Sequence, residues 1–149
     1  MGVCSNKAAE YFKQGYNCAQ SVFLVFAEEC GLDKETALKL SSSFGGGMGR
    51  LREVCGAVSS MFAVTGLKYG YTLPNDDLLK AKHYKLIQEL ATKFKEKHGS
   101  IICRELLNID GAQNPVPEKR TEQYYKNRPC EEFVKTAADI IETYICNKG

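Results

Sequence analysis

Asn17-Cys18-Ala19-Gln20-Ser21-Val22-Phe23-Leu24-Val25-Phe26-Ala27-Glu28-Glu29-Cys30-Gly31 is the stretch that decides the fold. Asn17 is a good N-cap and Gly31 a good helix stop, so the pattern predicts a helix over residues 18–30. It is apolar nearly all round, which predicts a central position with neighbours on every side. Outward from this segment, apolar residues recur at helical spacing almost throughout, and no stretch sustains the period-two alternation of a half-buried strand. The expectation is an all-α fold: a single compact helical domain over residues 1–149, of about six or seven helices, with no significant sheet.

The other helices follow from their punctuation. Residues 5–14 read as a short helix ended by Gly15, and Asp33 caps a third helix over 34–43. Gly45, Gly46, Gly47 and Gly49 interrupt the helical pattern, which resumes over about 51–68, with 51–66 as the second central element. A long amphipathic helix after Asn75 runs to about His98 and carries Leu79, Leu86, Leu90 and Phe94 on one stripe. Ser100 caps a short helix bearing Cys103, Leu106 and Leu107. Residues 108–128 are polar, contain Pro115 and Pro117, and read as a lid, a binding loop or a disordered excursion. Pro129 suits the first position of a last helix that reaches about Cys146.

Composition excludes several function classes. With 44% hydrophobic and 26% charged residues the chain can close a core. Its 20 basic residues against 18 acidic leave a net charge of +2, no footprint for nucleic acid. The longest strictly apolar run, residues 22–27, is far short of the roughly 20 residues of a membrane span. Residues 1–15 are polar without a signal-peptide core, and Asn6 stands where a myristoylation signal needs Ser or Thr. The expected location is cytoplasmic, with no nucleic-acid and no membrane partner.

Seven cysteines, Cys4, Cys18, Cys30, Cys55, Cys103, Cys130 and Cys146, dominate the question of function. Their odd number and the absence of a secretion signal argue against a disulfide scaffold. No pair is spaced C-x-x-C, so the local signatures of a zinc knuckle, a thioredoxin-like site, a ferredoxin cluster or a c-type haem are missing. Any shared site must be assembled by the fold. Cys18, Cys103 and Cys130 fall in the first turn of expected helices, where free N–H groups and the helix dipole favour thiolate. Cys55 lies one turn into its helix, near Arg50 and Arg52.

Helical phase turns Cys18, Cys55 and Cys130 inward, with Val22, Val58 and Val134 on their respective stripes, and Cys103 joins them beside Leu106. Cys146 falls about 160° round from Cys130 and is expected to face solvent. Cys4 is expected in a frayed terminus, and Cys30 at a helix C-terminus. Packing alone explains any one free cysteine, since it behaves as a small hydrophobe. Four with inward phase, three of them at helix starts, point to a shared site.

At these residues the sequence resembles the C_GCAxxG_C_C family of redox-active proteins, small bacterial and archaeal chains of similar length. The resemblance rests on Gly15 to Val22, on Phe44-Gly45-Gly46-Gly47-Met48-Gly49, on Cys55-Gly56-Ala57, and on Cys103 and Cys130. The family's four cysteines map onto Cys18, Cys55, Cys103 and Cys130. One position departs: the family has glycine where this chain has Ser60, which is expected to be helical and of little consequence. The resemblance implies a helical, cysteine-based redox protein without a settled substrate.

The glycine segment lacks the lysine of a P-loop and no strand precedes it. Two readings stand: Gly45, Gly46, Gly47 and Gly49 with Arg50 bind an anionic or flat cofactor, or they make a tight interhelical connection. His83 and His98 lie about 22 Å apart on one helix and cannot share a metal. Tyr124 and Tyr125 either cover a site or pack. The leading function is thiol–disulfide exchange or electron transfer through the four cysteines, as in a thiol–disulfide oxidoreductase. The alternative is a metal or iron-sulfur centre held by the same four, and a third reading is a non-catalytic helical ligand-binding or interaction module. No cofactor is singled out. The redox partner is a small molecule or a protein, and a homodimer is compatible with this reading.

Overall fold

The computed structural model describes residues 2–146. Eight helices follow in order among the described residues: α1 (Val3–Lys13), α2 (Cys18–Ala27), α3 (Lys34–Ser42), α4 (Gly56–Tyr69), α5 (Asp77–His98), α6 (Cys103–Leu107), α7 (Glu122–Asn127) and α8 (Cys130–Ile140). A π turn, Ile141–Ile145, continues α8. There is no strand among these residues, only an isolated antiparallel bridge between Val54 and Ile102. The all-α expectation holds. The helix beyond the expected six or seven is α7, hidden in a segment whose prolines and charge read as loop.

α2 starts as its sequence demands. The Asn17 side chain accepts from the Gln20 N–H at 2.8 Å, and the Asn17 N–H donates to the Gln20 side chain at 3.2 Å. This reciprocal cap satisfies two backbone donors that a helix start leaves open. Asn17 also donates to the Ser42 carbonyl at 3.1 Å and Gln20 to that of Leu38 at 3.1 Å, so the same cap fixes α3 beside α2. α2 packs against α1, α3, α4 and α8. Val22, Phe23 and Phe26 of α2 meet a core that includes Val58, Met61 and Val64 of α4 and Val134 and Ile141 from α8 and its π turn. Each such side chain contributes about 1.5–3 kcal/mol on burial.

Several boundaries differ from expectation, each for a local reason. The fourth helix begins at Gly56 instead of Leu51, because residues 46–50 and Arg52 have left-handed backbone, with φ between 60° and 68°. Gly46, Gly47 and Gly49 adopt it freely, while Met48, Arg50 and Arg52 cost about 1–2 kcal/mol each. The turn is held by the Gly49 N–H on Gly45 and the Glu53 N–H on Gly47, both at 2.9 Å. Ser100 is not the cap of α6, which begins at Cys103 after Ile102. Its hydroxyl accepts from the Ile102 N–H at 3.0 Å and donates to Glu105 at 2.6 Å, shaping the approach to α6. On α5, Leu90 and Phe94 are buried, but Leu79 is exposed, since the first half of this helix runs beyond the core.

Ser60 is helical as expected, yet it has consequence. Its buried hydroxyl donates to the Ala19 carbonyl at 2.6 Å and ties α4 to α2. Ser60→Gly should lose this bond and add helix flexibility, at about 2 kcal/mol in all. In urea this appears as a lower midpoint at unchanged slope. A midpoint equal to that of the parent chain would remove the bond from the account of stability.

Candidate functional site

Each of the four inward cysteines stands at the start of a different helix. Cys18 opens α2 behind the Asn17 cap, Cys103 opens α6, Cys130 opens α8, and Cys55 is the N-cap of α4. Cys55 therefore lies just before its helix, one turn earlier than its sequence suggests. The Val54–Ile102 bridge lays two of the segments side by side, with the Cys55 N–H donating to Ile101 at 2.8 Å. All four cysteines line one cavity of about 60 Å³. Cys4, Cys30 and Cys146 do not line it.

Two glycines make the convergence sterically feasible. A Cβ on Gly56 would lie 2.6 Å from the Cys18 Sγ and 2.7 Å from the Phe44 carbonyl, so the Cys55-Gly56-Ala57 motif leaves space for that sulfur. A Cβ on Gly47 would lie 2.6 Å from the Cys103 Cβ. The left-handed turn thus presses directly against the segment carrying Cys103.

Cations surround the sulfurs. Arg52 is 4% exposed, and its Nη1 donates to the Cys103 Sγ at 3.5 Å while Nε and Nη2 donate to the Gln113 carbonyl oxygen at 3.0 and 2.6 Å. Arg120 stacks 4.3 Å from the Phe12 ring centre and 4.9 Å from that of Tyr124. It also donates to the carbonyls of Phe12 and Tyr16 at 3.0 and 3.1 Å, which closes the C-terminal end of α1. Arg128 faces Tyr124 and pairs with Glu118. Arg120 and Arg128 escaped sequence reading, because an arginine in a polar, proline-containing segment carries no signal of burial. The Tyr124 ring lines the cavity, so of the two tyrosine readings it does both: it packs and it covers.

Burial governs the thiols more than helix starts do. It pushes Cys130 up to about 12, aided by repulsion from Cys18 and opposed by Arg128. Burial likewise raises Cys55 well above the usual thiol range, with Cys18 repelling and the N–H of Val58 pulling back. Cys103 is raised by burial and drawn down by the Arg52 hydrogen bond and charge. The helix start does not make Cys130 more acidic than Cys146, which is pushed up to about 11. Desolvation of a thiolate outweighs the favourable dipole at the start of α8.

The outer cysteines are also corrected. Cys146 is half-buried instead of projecting freely into solvent. The π turn underwinds the end of α8, so the sulfur packs against the core and donates to Glu29 at 3.6 Å. Cys4 is not in a frayed end, since α1 already begins at Val3.

The glycine segment borders a second cavity, of about 350 Å³, lined by Gly45, Gly46, Gly49 and Arg50 but not by Gly47, which is buried beneath it. The N–H groups of Met48, Gly49, Leu51, Arg52 and Glu53 are spent within the turn. Arg50, Arg52, Arg120 and Arg128 bring positive charge to this cavity from their side chains. Among the described residues no group of three or more His, Cys, Asp or Glu is placed to hold a metal ion. His98 contacts Thr136 at 2.8 Å between Phe94 and Phe133 and is an ordinary core histidine. A roomier cavity of about 540 Å³ between the end of α4 and α5, beside His83, holds no cysteine. No helix among the described residues is long and apolar enough to cross a membrane.

Comparison with known families gives one match: the family described as "Putative redox-active protein (C_GCAxxG_C_C)" fits residues 16–144. No curated protein and no solved structure matches the chain.

Two outcomes follow from the geometry. Gly56→Ala should displace the Cys18 sulfur, destabilising the chain by about 2–4 kcal/mol and changing the alkylation rate of Cys18 mapped by mass spectrometry. An unaltered rate would show that the sulfur does not depend on that space. Cys130 holds its proton in the fold up to about pH 12 against an ordinary value near 9. Its contribution to stability is therefore complete below pH 9 and is lost between pH 9 and 12, as the unfolded chain ionises first. Urea midpoints of the parent should fall over that window more steeply than those of Cys130→Ala, and parallel profiles would contradict the assignment.

Proposed function

The chain belongs to the C_GCAxxG_C_C family, and from that premise we propose that it is a redox protein working by thiol–disulfide exchange among Cys18, Cys55, Cys103 and Cys130. The observation that carries the reading is the single cavity lined by all four sulfurs. Exchange needs a sulfur that ionises and a second that closes on it to about 2.05 Å.

Cys103 is the attacking sulfur in this proposal, because among the described residues it is the cysteine that receives a hydrogen bond from a guanidinium, that of Arg52. Its thiolate attacks one sulfur of a substrate disulfide, forming a mixed disulfide and expelling the other half as a thiolate. Cys18, which lines the same cavity and whose sulfur lies over Gly56 next to Cys55, is the resolving sulfur. It displaces the bound half, leaving a Cys18–Cys103 disulfide. Two thiols of the protein lose two electrons, the substrate disulfide gains them, and the two thiol protons pass to the two expelled thiolates. Burial keeps the Cys55, Cys103 and Cys130 thiols protonated, which favours a resting state that a substrate must enter before exchange starts. The same convergence of four cysteines on one cavity would also suit a metal or iron-sulfur centre, the second reading, although among the described residues no group of three or more His, Cys, Asp or Glu is placed to hold an ion.

The test is trapping. Cys18→Ser treated with oxidised glutathione should accumulate a mixed disulfide on Cys103, while the parent chain shows the internal Cys18–Cys103 bond by peptide mapping. Cys103→Ser should form neither. A mixed disulfide that settles on Cys146 instead would abandon the assignment, and one equivalent of iron or zinc held by the four cysteines in anaerobically purified protein would replace it with the metal reading.

A further inference from the structure

Resting on the exchange reading, we infer that the substrate is a small disulfide bearing an oxyanion group, held in the arginine-lined cavity outside the sulfurs. The two cavities are neighbours: Asn17, Gly46, Arg52, Arg120, Tyr124 and Arg128 line both. The inner one, about 60 Å³, has room for a reacting sulfur and little else, so the body of a substrate must stay outside. The outer one, about 350 Å³, is of the size that takes a small molecule. A folded protein's disulfide, carried on two backbones, does not fit the inner space.

Charge identifies the occupant. Arg50, Arg52, Arg120 and Arg128 line the outer cavity with a single carboxylate, that of Glu118. Arg50 and Arg128 both turn to that one carboxylate. Arg52 and Arg120 donate to neutral oxygens, of Gln113 and of the Phe12 and Tyr16 carbonyls. Arg52 serves the Cys103 sulfur, so Arg50, Arg120 and Arg128 are left facing the outer cavity with one carboxylate between them. Guanidinium forks match carboxylate, phosphate and sulfonate oxygens, so an oxyanion supplies the missing charge. It also places the disulfide of the same molecule at the mouth of the sulfur cavity. There the Cys103 thiolate attacks as described above, and the expelled thiolate leaves through the outer cavity.

The experiment compares two aromatic disulfides, the dianionic dithiobis(nitrobenzoate) and the neutral dithiodipyridine, each rate being divided by that for free cysteine. Reaction at Cys103 and Cys18 is followed by quenching and peptide mapping. The anionic probe should be favoured on the order of ten-fold at low salt, and added salt should shrink that preference. Arg50→Gln, which alters the outer cavity only, should lower the preference several-fold. Glu118→Gln, which removes the sole carboxylate, should raise it and serves if Arg50→Gln fails to fold. Equal normalised rates, indifferent to salt and to both variants, would overturn the anionic substrate and leave thiol exchange standing. Failure of both probes to oxidise Cys103 and Cys18 would overturn the exchange reading and this inference with it.

Discussion

The starts of α2 and α4 meet with only a glycine between them. The Cys18 sulfur occupies space that any side chain at position 56 would claim, and the Phe44 carbonyl bounds the same space from the other side. Close approach of two helix starts brings their unpaired N–H groups together, which is unfavourable unless something with electron density lies between. A sulfur and a carbonyl oxygen do. The Ser60 hydroxyl on the Ala19 carbonyl continues the contact down the pair, and the Asn17 cap carries it sideways to α3. The position of Cys103 follows, because the segment leading into α4 holds it through the Val54–Ile102 bridge.

The left-handed turn belongs to the same constraint. Chain leaving α3 must reverse within a few residues and deliver Cys55 to the start of α4 without widening the gap over Cys103. Gly47 fits that gap only because it has no side chain, and the strain at Met48, Arg50 and Arg52 is the consequence of continuing the same sense of winding. Hydrogen bonds within the turn and the buried Arg52 fork on Gln113 offset part of that strain.

Much of this is legible in the sequence. Helix starts at Asn17 and Asp33 and the central place of α2 are local properties of cap residues and apolar period, and they stand. Inward phase brought Cys18, Cys55, Cys103 and Cys130 together correctly, even though Cys55 precedes its helix. What failed was non-local. Cys146 was misplaced because a π turn has no sequence period of its own, and α7 was missed because six residues beside two prolines give too short a window. The thiol acidities depend on burial, which spacing does not report. Arg120 acquires its role from carbonyls more than a hundred positions earlier in the chain.

Because the four sulfurs sit at the starts of four different helices, any bond between them is also a mechanical event. Joining Cys18 to Cys103 would ring more than half of the chain, a cross-link that on chain-entropy grounds removes roughly 4–5 kcal/mol of freedom from the unfolded ensemble. By linkage, whatever resistance to unfolding oxidation adds must appear as a more negative reduction potential of that bond, relative to the same pair in the unfolded chain. Tightness of the fold and willingness to release electrons are then one quantity measured in two ways. A substitution that loosens the α2–α4 contact in the oxidised form more than in the reduced form would make the protein a stronger oxidant without touching a sulfur.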